Sequence, residues 1–184
     1  MSVVRGDALA VTADGEVFRG RSVGADGIAT GEVVFNTAMA GYQEIFSDPS
    51  YAGQVVVMTA PHIGNYGVTA LDEQADRVWA RGVIVRSLSR RESNWRSQGT
   101  LADYLRGHGL VGMSDVDTRR LTRHIRDRGA QPIAMGAGVT ESELHQAAGN
   151  APGMAGMDLA TRVSTAEAYD VAADGESRGL VVAI

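Results

Sequence analysis

The chain has 184 residues, with 17 basic against 22 acidic side chains and a formal net charge of −5, which argues against a general nucleic-acid-binding protein. Every basic residue is arginine and there is no cysteine, so phosphate-loop and Schiff-base lysines, thiol nucleophiles and cysteine-ligated metals are excluded. No apolar run approaches the roughly 20 residues that span a bilayer, and the amino terminus lacks the pattern of a signal peptide. We therefore expect a cytoplasmic protein without a membrane partner.

The first half of the chain predicts short strands separated by turns. Residues 8–12 and 16–21 flank Ala13-Asp14-Gly15, where Asp-Gly predicts a two-residue hairpin turn because both positions tolerate positive φ. Three further runs are rich in β-branched residues, at 32–36, 54–59 and 82–85. Continuous apolar runs of this length are typical of strands buried on both faces.

The second half predicts helices with clear start signals, over residues 101–106, 118–128 and 141–148. Thr100, Asp117 (or Thr118) and Thr140 are the expected amino-terminal caps, and Glu143 completes a capping box with Thr140. A short apolar piece at 110–113 and a further predicted strand at 133–135 lie between the helices, and the glycines of 149–156 break the last helix.

The last part of the chain predicts a linker and then a new strand. Residues 170–177 are rich in Asp and Ala, and the apolar run GLVVAI follows at 179–184. A six-residue strand with nothing after it to cover it is an exposed edge that favours aggregation. We therefore expect this strand to open a second domain that the chain does not contain.

The residue types alone predict no complete catalytic site. The histidines, none with a partner at metal-ligand spacing, are His62, His108, His124 and His145. His62 lies in a loop at 61–67, where both a structural and a functional role are open. Asp48, Ser50 and His62 could form a nucleophilic triad, but there is no G-x-S-x-G elbow, and Ser-Asp-Pro-Ser at 47–50 is more simply a turn.

Five arginines form the sharpest cluster of positive charge, and they are Arg119, Arg120, Arg123, Arg126 and Arg128. They fall on one predicted helix and are interspersed with aspartates. Such a cluster is usually a solvated helix face, but arginine is also enriched in protein interfaces. Both interpretations stay open.

The run GEVVFNTAMAGYQEIFSDPSYAGQVVVMTAPHIGNYG, at 31–67, closely resembles the amino-terminal domain of the small (glutaminase) subunit of carbamoyl-phosphate synthase. The likeness continues through SDVDTRRLTR at 114–123 and RGA at 128–130. It resumes with GMDLA at 156–160 and VSTAEAY at 163–169. These blocks occur in order and cover nearly the whole chain.

The resemblance implies a three-layer β/β/α swivelling domain over residues 1–160, a linker at 161–178 and the first strand of a class I glutamine amidotransferase domain at 179–184. In the family, the catalytic Cys, His and Glu lie in that following domain. The resemblance therefore implies no catalytic or metal-binding residue here, and an inactive chain in isolation. Ser50 matches the family position that contributes to the glutamine site from the amino-terminal side.

The resemblance also implies a docking role on the large subunit, which holds the ATP and magnesium, so no cofactor is expected in this chain. The complete enzyme would make carbamoyl phosphate from glutamine, bicarbonate and ATP for arginine and pyrimidine biosynthesis. The main alternative is a free-standing regulatory module that docks on the large subunit without a glutaminase domain. A third reading is a carrier domain in which His62 accepts a phosphoryl group.

Overall fold

The computed structural model describes residues 6–172, 175 and 179. Its strands are β1 (Asp7–Thr12), β2 (Val17–Ser22), β3 (Ile28–Asn36), β4 (Gln54–Met58), β5 (Gly82–Ile84), β6 (Val111–Ser114) and β7 (Gln131–Ala137). Its α-helices are α1 (Tyr42–Ser47), α2 (Leu101–Gly107), α3 (Thr118–Arg128), α4 (Glu141–Asn150) and α5 (Leu159–Val163). Short 3-10 helices lie at Pro49–Tyr51 and Ala70–Asp72. The α/β class predicted from the sequence is confirmed.

Within these residues the strands close into a seven-stranded barrel in the order β1-β2-β6-β5-β4-β3-β7. β3, β4, β5 and β6 are neighbours that pair in parallel. The pairs that involve β1, β2 or β7 are antiparallel. Because the four parallel strands run in one direction, the segments that follow them all emerge at one end, which we call the carboxyl end of the barrel.

Successive side chains of a strand point alternately into the barrel interior and into an outer apolar layer. On β4, Val55 and Val57 face the interior cluster, whereas Val56 and Met58 belong to the outer cluster. This explains why the sequence of β4 is a continuous apolar run, as is typical of a strand buried on both faces. Helices α1 and α2 cover the outer layer with Tyr42, Phe46, Leu101, Tyr104 and Leu105.

Two helices close the remaining surfaces of the barrel. α3 follows β6, and its Leu121 and Ile125 join the interior cluster, so α3 closes the barrel at the carboxyl end. α4 packs on the outer face of β1 and β7, where Leu144 and Ala148 meet Val11 and Ala134.

Polar contacts tie α3 to the β1–β2 hairpin. Arg120 donates hydrogen bonds to the Glu16 carboxylate and to the backbone oxygen of Val17, and its guanidinium lies 4.0 Å from the centroid of the Phe18 ring. One turn further along the helix, Nε2 of His124 lies 3.0 Å from Oδ2 of Asp14. Residues of the β1–β2 hairpin, from Asp14 to Phe18, therefore hold the side of α3 that carries Arg120 and His124.

The predicted hairpin is confirmed, but the predicted two-residue turn is wrong. The strands are closed by a hydrogen bond from the amide of Thr12 to the oxygen of Glu16, which leaves three residues in the loop. Gly15 alone in this loop has positive φ, at 90°. Asp14 instead keeps ordinary backbone geometry, because its carboxylate accepts a 2.6 Å hydrogen bond from the Thr12 hydroxyl and contacts His124.

The other predicted strands are confirmed with small shifts in their ends, and the apolar piece at 110–113 becomes β6. The caps of α2, α3 and α4 at Thr100, Asp117 and Thr140 are confirmed, including the capping box with Glu143. The predicted break over 149–156 is confirmed with a shifted start, because α4 extends to Asn150, and the sequence pattern predicts neither α1 nor α5. The predicted strand at 179–184 lies outside the described residues, apart from Gly179.

The carboxylate of Asp14 makes the fold sensitive to acid. Partial burial opposes ionisation, but hydrogen bonds with Thr12, Gln131 and His124 outweigh it and lower the pKa of Asp14 from 3.8 to about 2. Because the folded pKa is depressed, ionised Asp14 stabilises the fold fully above the unfolded pKa, and this contribution is lost as the pH falls through about 2.

We therefore expect Asp14→Asn to flatten the loss of stability on acidification. The midpoint of urea unfolding is measured at one pH above 3.8 and at one pH between 3.8 and about 2. The decrease in midpoint from the higher to the lower pH should be smaller for Asp14→Asn than for the wild type. Glu92→Gln, at an exposed residue without an ion pair among the described residues, is the matched control and should behave as the wild type. Equal acid sensitivity of Asp14→Asn and the wild type would show that this carboxylate does not stabilise the hairpin.

Candidate functional site

Ser50 lies on a rigid turn formed by residues 48–51, which we call the Ser50 turn. Oδ1 of Asp48 accepts a hydrogen bond of 2.8 Å from the amide of Ser50, and the backbone oxygen of Asp48 accepts one of 3.0 Å from the amide of Tyr51. Pro49 is the first residue of the 3-10 helix, where its fixed φ is already helical. The turn predicted from Ser-Asp-Pro-Ser is confirmed, with the side-chain-to-backbone bond from Asp48.

The turn is attached to the barrel by Tyr51 and Gly53. Nδ2 of Asn36, the last residue of β3, donates a 2.8 Å hydrogen bond to the Tyr51 hydroxyl. The backbone oxygen of Gly53 accepts one of 3.1 Å from the amide of Glu32. Gly53 has a φ of 84°, and a Cβ there would lie 3.0 Å from Sδ of Met154, so the segment after α4 passes close to the turn. β3 and the segment after α4 therefore both lie against this turn.

The Ser50 side chain is exposed, and its hydroxyl has no hydrogen-bond partner among the described residues. A serine hydroxyl donates one hydrogen bond and accepts two, so it can recognise the polar groups of a small ligand. No imidazole contacts it, and the adjacent Asp48 carboxylate is engaged by the backbone. The arrangement is thus suited to binding, and nothing in it activates Ser50 as a nucleophile.

His62 does not join the Ser50 turn. Its Nδ1 lies 3.3 Å from Oγ of Ser87, and the ring is on the surface. The neighbouring Ile63 bridges to Leu88, which fixes this loop beside the segment after β5. No hydrogen bond links His62 to Asp48 or Ser50 in the described part of the chain, so the hypothetical triad is not assembled.

The described residues contain neither a cluster of metal ligands nor a membrane-spanning helix. No group of three or more His, Asp or Glu side chains there could hold a metal ion. Nor is any helix of that part long and apolar enough to cross a bilayer.

An aromatic pair of one buried and one half-buried ring, which the sequence pattern does not indicate, supports the helix that leads into the Ser50 turn. Tyr42 at the start of α1 stacks on Tyr66, with ring centroids 4.2 Å apart. The Tyr66 hydroxyl accepts hydrogen bonds from the amides of Gly41 and Tyr42, while the Tyr42 hydroxyl donates one to the oxygen of Gly67. Burial raises the pKa of both tyrosines, so both hydroxyls stay protonated.

A second network of hydrogen bonds joins α1 to residues 69–73, which follow Tyr66 and Gly67 in the chain. The side chain of Gln43 exchanges two 2.9 Å hydrogen bonds with the backbone of Thr69 and donates a third to Glu73. Glu73 also accepts a hydrogen bond from the Tyr104 hydroxyl of α2. Burial, with the nearby Glu73 charge, raises the pKa of Tyr104. Tyr42 and Gln43 therefore hold α1, the helix that leads into the Ser50 turn, by hydrogen bonds to the backbone of Gly67 and Thr69.

The five arginines of α3 are all exposed, as predicted for a solvated helix face. They are not equivalent, because Arg120 is engaged by the β1–β2 hairpin, whereas Arg119 and Arg123 make no ion pair with a described residue. Arg119 and Arg123 line two clefts, one with Arg120, Asp117 and Asp127 and the other with Thr118, Thr122 and Arg126. A further cleft beside the hairpin is lined by Arg120 together with residues of other segments, such as Arg19 and Arg86.

Comparison with known proteins gives one consistent family. The sequence matches the family described as "Carbamoyl-phosphate synthase small chain, CPSase domain" over residues 10–135. The carbamoyl phosphate synthase small chain of Pseudomonas aeruginosa is 54% identical over 165 residues, which are 89% of this chain and 44% of the relative. The small chain of Xanthomonas axonopodis pv. citri is 54% identical over 164 residues, 89% and 42% of the two chains. That of Vibrio vulnificus is 52% identical over 164 residues, 88% and 43%. The chain spans less than half the length of these relatives.

The geometry predicts stability effects of different size at two adjacent residues. Tyr51→Phe removes the acceptor of the half-buried Asn36 amide and should lower the free energy of unfolding by about 1 kcal/mol. Ser50→Ala removes a hydroxyl without a partner and should change it by no more than about 0.5 kcal/mol. Urea denaturation of both variants measures the difference. A loss in Ser50→Ala as large as in Tyr51→Phe would indicate a structural hydroxyl at Ser50.

Proposed function

Because the chain belongs to the carbamoyl-phosphate synthase small-chain family, we propose that it is the amino-terminal, non-catalytic domain of that subunit. In this role residues 1–160 dock the small subunit on the large subunit and form one wall of the glutamine site. The glutaminase chemistry belongs to a class I amidotransferase domain that these 184 residues do not include. The complete enzyme then makes carbamoyl phosphate from glutamine, bicarbonate and ATP, with the nucleotide and magnesium on the large subunit.

The observation that carries the proposal is the state of Ser50. The side chain is on the surface, its hydroxyl is free of internal hydrogen bonds, and Asp48 and Tyr51 fix the backbone around it. A hydroxyl held in this way can contact the polar groups of an amino acid that lies between this domain and a second one. Glutamine offers an ammonium, a carboxylate and an amide for such a contact.

The form of the barrel supports the same assignment. A closed barrel with one apolar cluster inside and another under α1 and α2 supports a description as two β layers and one helical layer. We propose on this basis that the fold is of the three-layer β/β/α swivelling type of the family. Exposed apolar side chains near the end of β3, Phe35 and Met39, are suited to an area that a second domain covers.

Docking predicts a stable complex between this chain and the large subunit of carbamoyl-phosphate synthase. An interface of standard size buries about 800 Å² on each partner and supports co-elution in size-exclusion chromatography at micromolar concentrations. An unrelated protein of similar negative charge, mixed with the large subunit, is the control and should elute separately. Separate elution of the chain and the large subunit would contradict the docking role.

The glutamine-site assignment predicts a binding defect at Ser50. In a full-length small subunit that carries this domain, Ser50→Ala should raise the KM for glutamine about tenfold and leave kcat little changed, since one ligand hydrogen bond is lost. Ser142→Ala, at an exposed serine of α4, is the matched control. An unchanged KM in Ser50→Ala, measured as ammonia release, would remove Ser50 from the site.

A further inference from the structure

A polar cleft of about 480 Å³ lies between one side of α3 and the residue that follows β4. Its lining, which defines the arginine cleft, consists of Thr59, Thr118, Arg119, Thr122, Arg123 and Arg126. It is therefore at the carboxyl end of the barrel, next to the ends of the parallel strands. Parallel α/β folds generally bind their ligands at this end.

The guanidinium groups of the arginine cleft are largely uncommitted. Arg119 and Arg123 make no ion pair or side-chain hydrogen bond with any described residue. Arg126 contacts only the adjacent Asp127, with 3.0 Å between Nε and Oδ1, and this pair is exposed. The cleft therefore has an excess of positive charge although the whole chain carries a net charge of −5.

In a neighbouring cleft on the opposite side of α3, by contrast, the arginines are paired with carboxylates. It has a similar volume, about 520 Å³, and is also lined by arginines. There, however, Arg86 lies 3.8 Å from Asp117, Arg19 lies 3.4 Å from Glu141, and Arg120 is bound to Glu16. Since its charges are already balanced within the fold, an added anion would have to displace an internal carboxylate.

The three arginines are presented on a fixed helix face. Their positions are i, i+4 and i+7, which places them within about 60° around the helix and over a length of about 10 Å. Leu121 and Ile125 are buried in the barrel, and Arg120 holds the opposite flank, so α3 cannot turn this face inward. A fixed row of this length fits two or three carboxylates that are about one helical turn apart.

We propose that the arginine cleft docks a carboxylate-rich segment of the large subunit, an inference that rests on the docking function proposed above. The cleft is open and polar, whereas sites for small molecules enclose most of the ligand. A nucleic acid would be repelled by the net charge of −5 of the chain. Protein carboxylates supply the acceptors that the guanidinium groups of Arg119 and Arg123 lack among the described residues.

The test is titration calorimetry of this chain against the large subunit, with the double variant Arg119→Gln/Arg123→Gln. We expect the Kd to rise about tenfold or more and to become less dependent on salt, because two charge-assisted contacts are lost. Arg90→Gln/Arg91→Gln makes the same change of charge at two exposed arginines without ion pairs among the described residues. This control should bind within about twofold of the wild type.

Thr122→Val separates the charge of the arginines from the shape of the cleft wall. The substitution keeps the shape of the side chain and removes an unpaired hydroxyl that is shielded from solvent, so the free energy of unfolding should be unchanged or higher and the Kd should stay within about twofold of the wild type. If the wild type binds but Arg119→Gln/Arg123→Gln binds equally well, or the Arg90/Arg91 control is weakened as much, the arginine cleft is not the contact and docking stands. If the wild type itself does not bind, both proposals are overturned.

Discussion

β7 forms hydrogen bonds with two strands from distant parts of the chain, and this double pairing closes the barrel. Its Gly136 lies opposite Leu9 of β1 on one side and Ile28 of β3 on the other. A Cβ at Gly136 would lie 2.7 Å from the backbone oxygen of Gly27, so only glycine allows the chain before β3 to approach this closely. Without β7 the four parallel strands would end in an open edge, and α3, which precedes β7 directly, would have no closed end to cover.

Much of this fold could be predicted because local signals agree with the tertiary structure. Thr100, Asp117 and Thr140 cap helices in the structure as the sequence indicates, since each cap depends only on groups three residues away. α1 could not be predicted in this way. It is six residues long, begins after Gly41 without a side-chain cap, and is stable because Tyr42 and Phe46 are buried against distant residues.

In the candidate sites, too, contacts between residues close in the sequence can be predicted, whereas contacts between distant segments cannot. The turn at 47–50 is predicted from the sequence, because the hydrogen bond that the Asp48 carboxylate accepts from the Ser50 amide joins residues only two positions apart. The free state of the Ser50 hydroxyl, and the Asn36 contact that fixes Tyr51, depend on how β3 lies beside the turn. Likewise, helical periodicity placed the arginines on one helix, but it could not distinguish Arg120, whose partner Glu16 is 104 positions away, from Arg119 and Arg123.

The order of pairing in the barrel also constrains how it is made. Ala8 of β1 pairs with Ala137 of β7, so the pairing that closes the barrel joins residues that are far apart in the sequence. Until β1 and β7 pair, both strands expose unpaired backbone groups, and contacts of such wide sequence separation are slow to form. α3 lies between β6 and β7 in the chain and packs on the barrel interior, so its final position depends on the closure of the barrel.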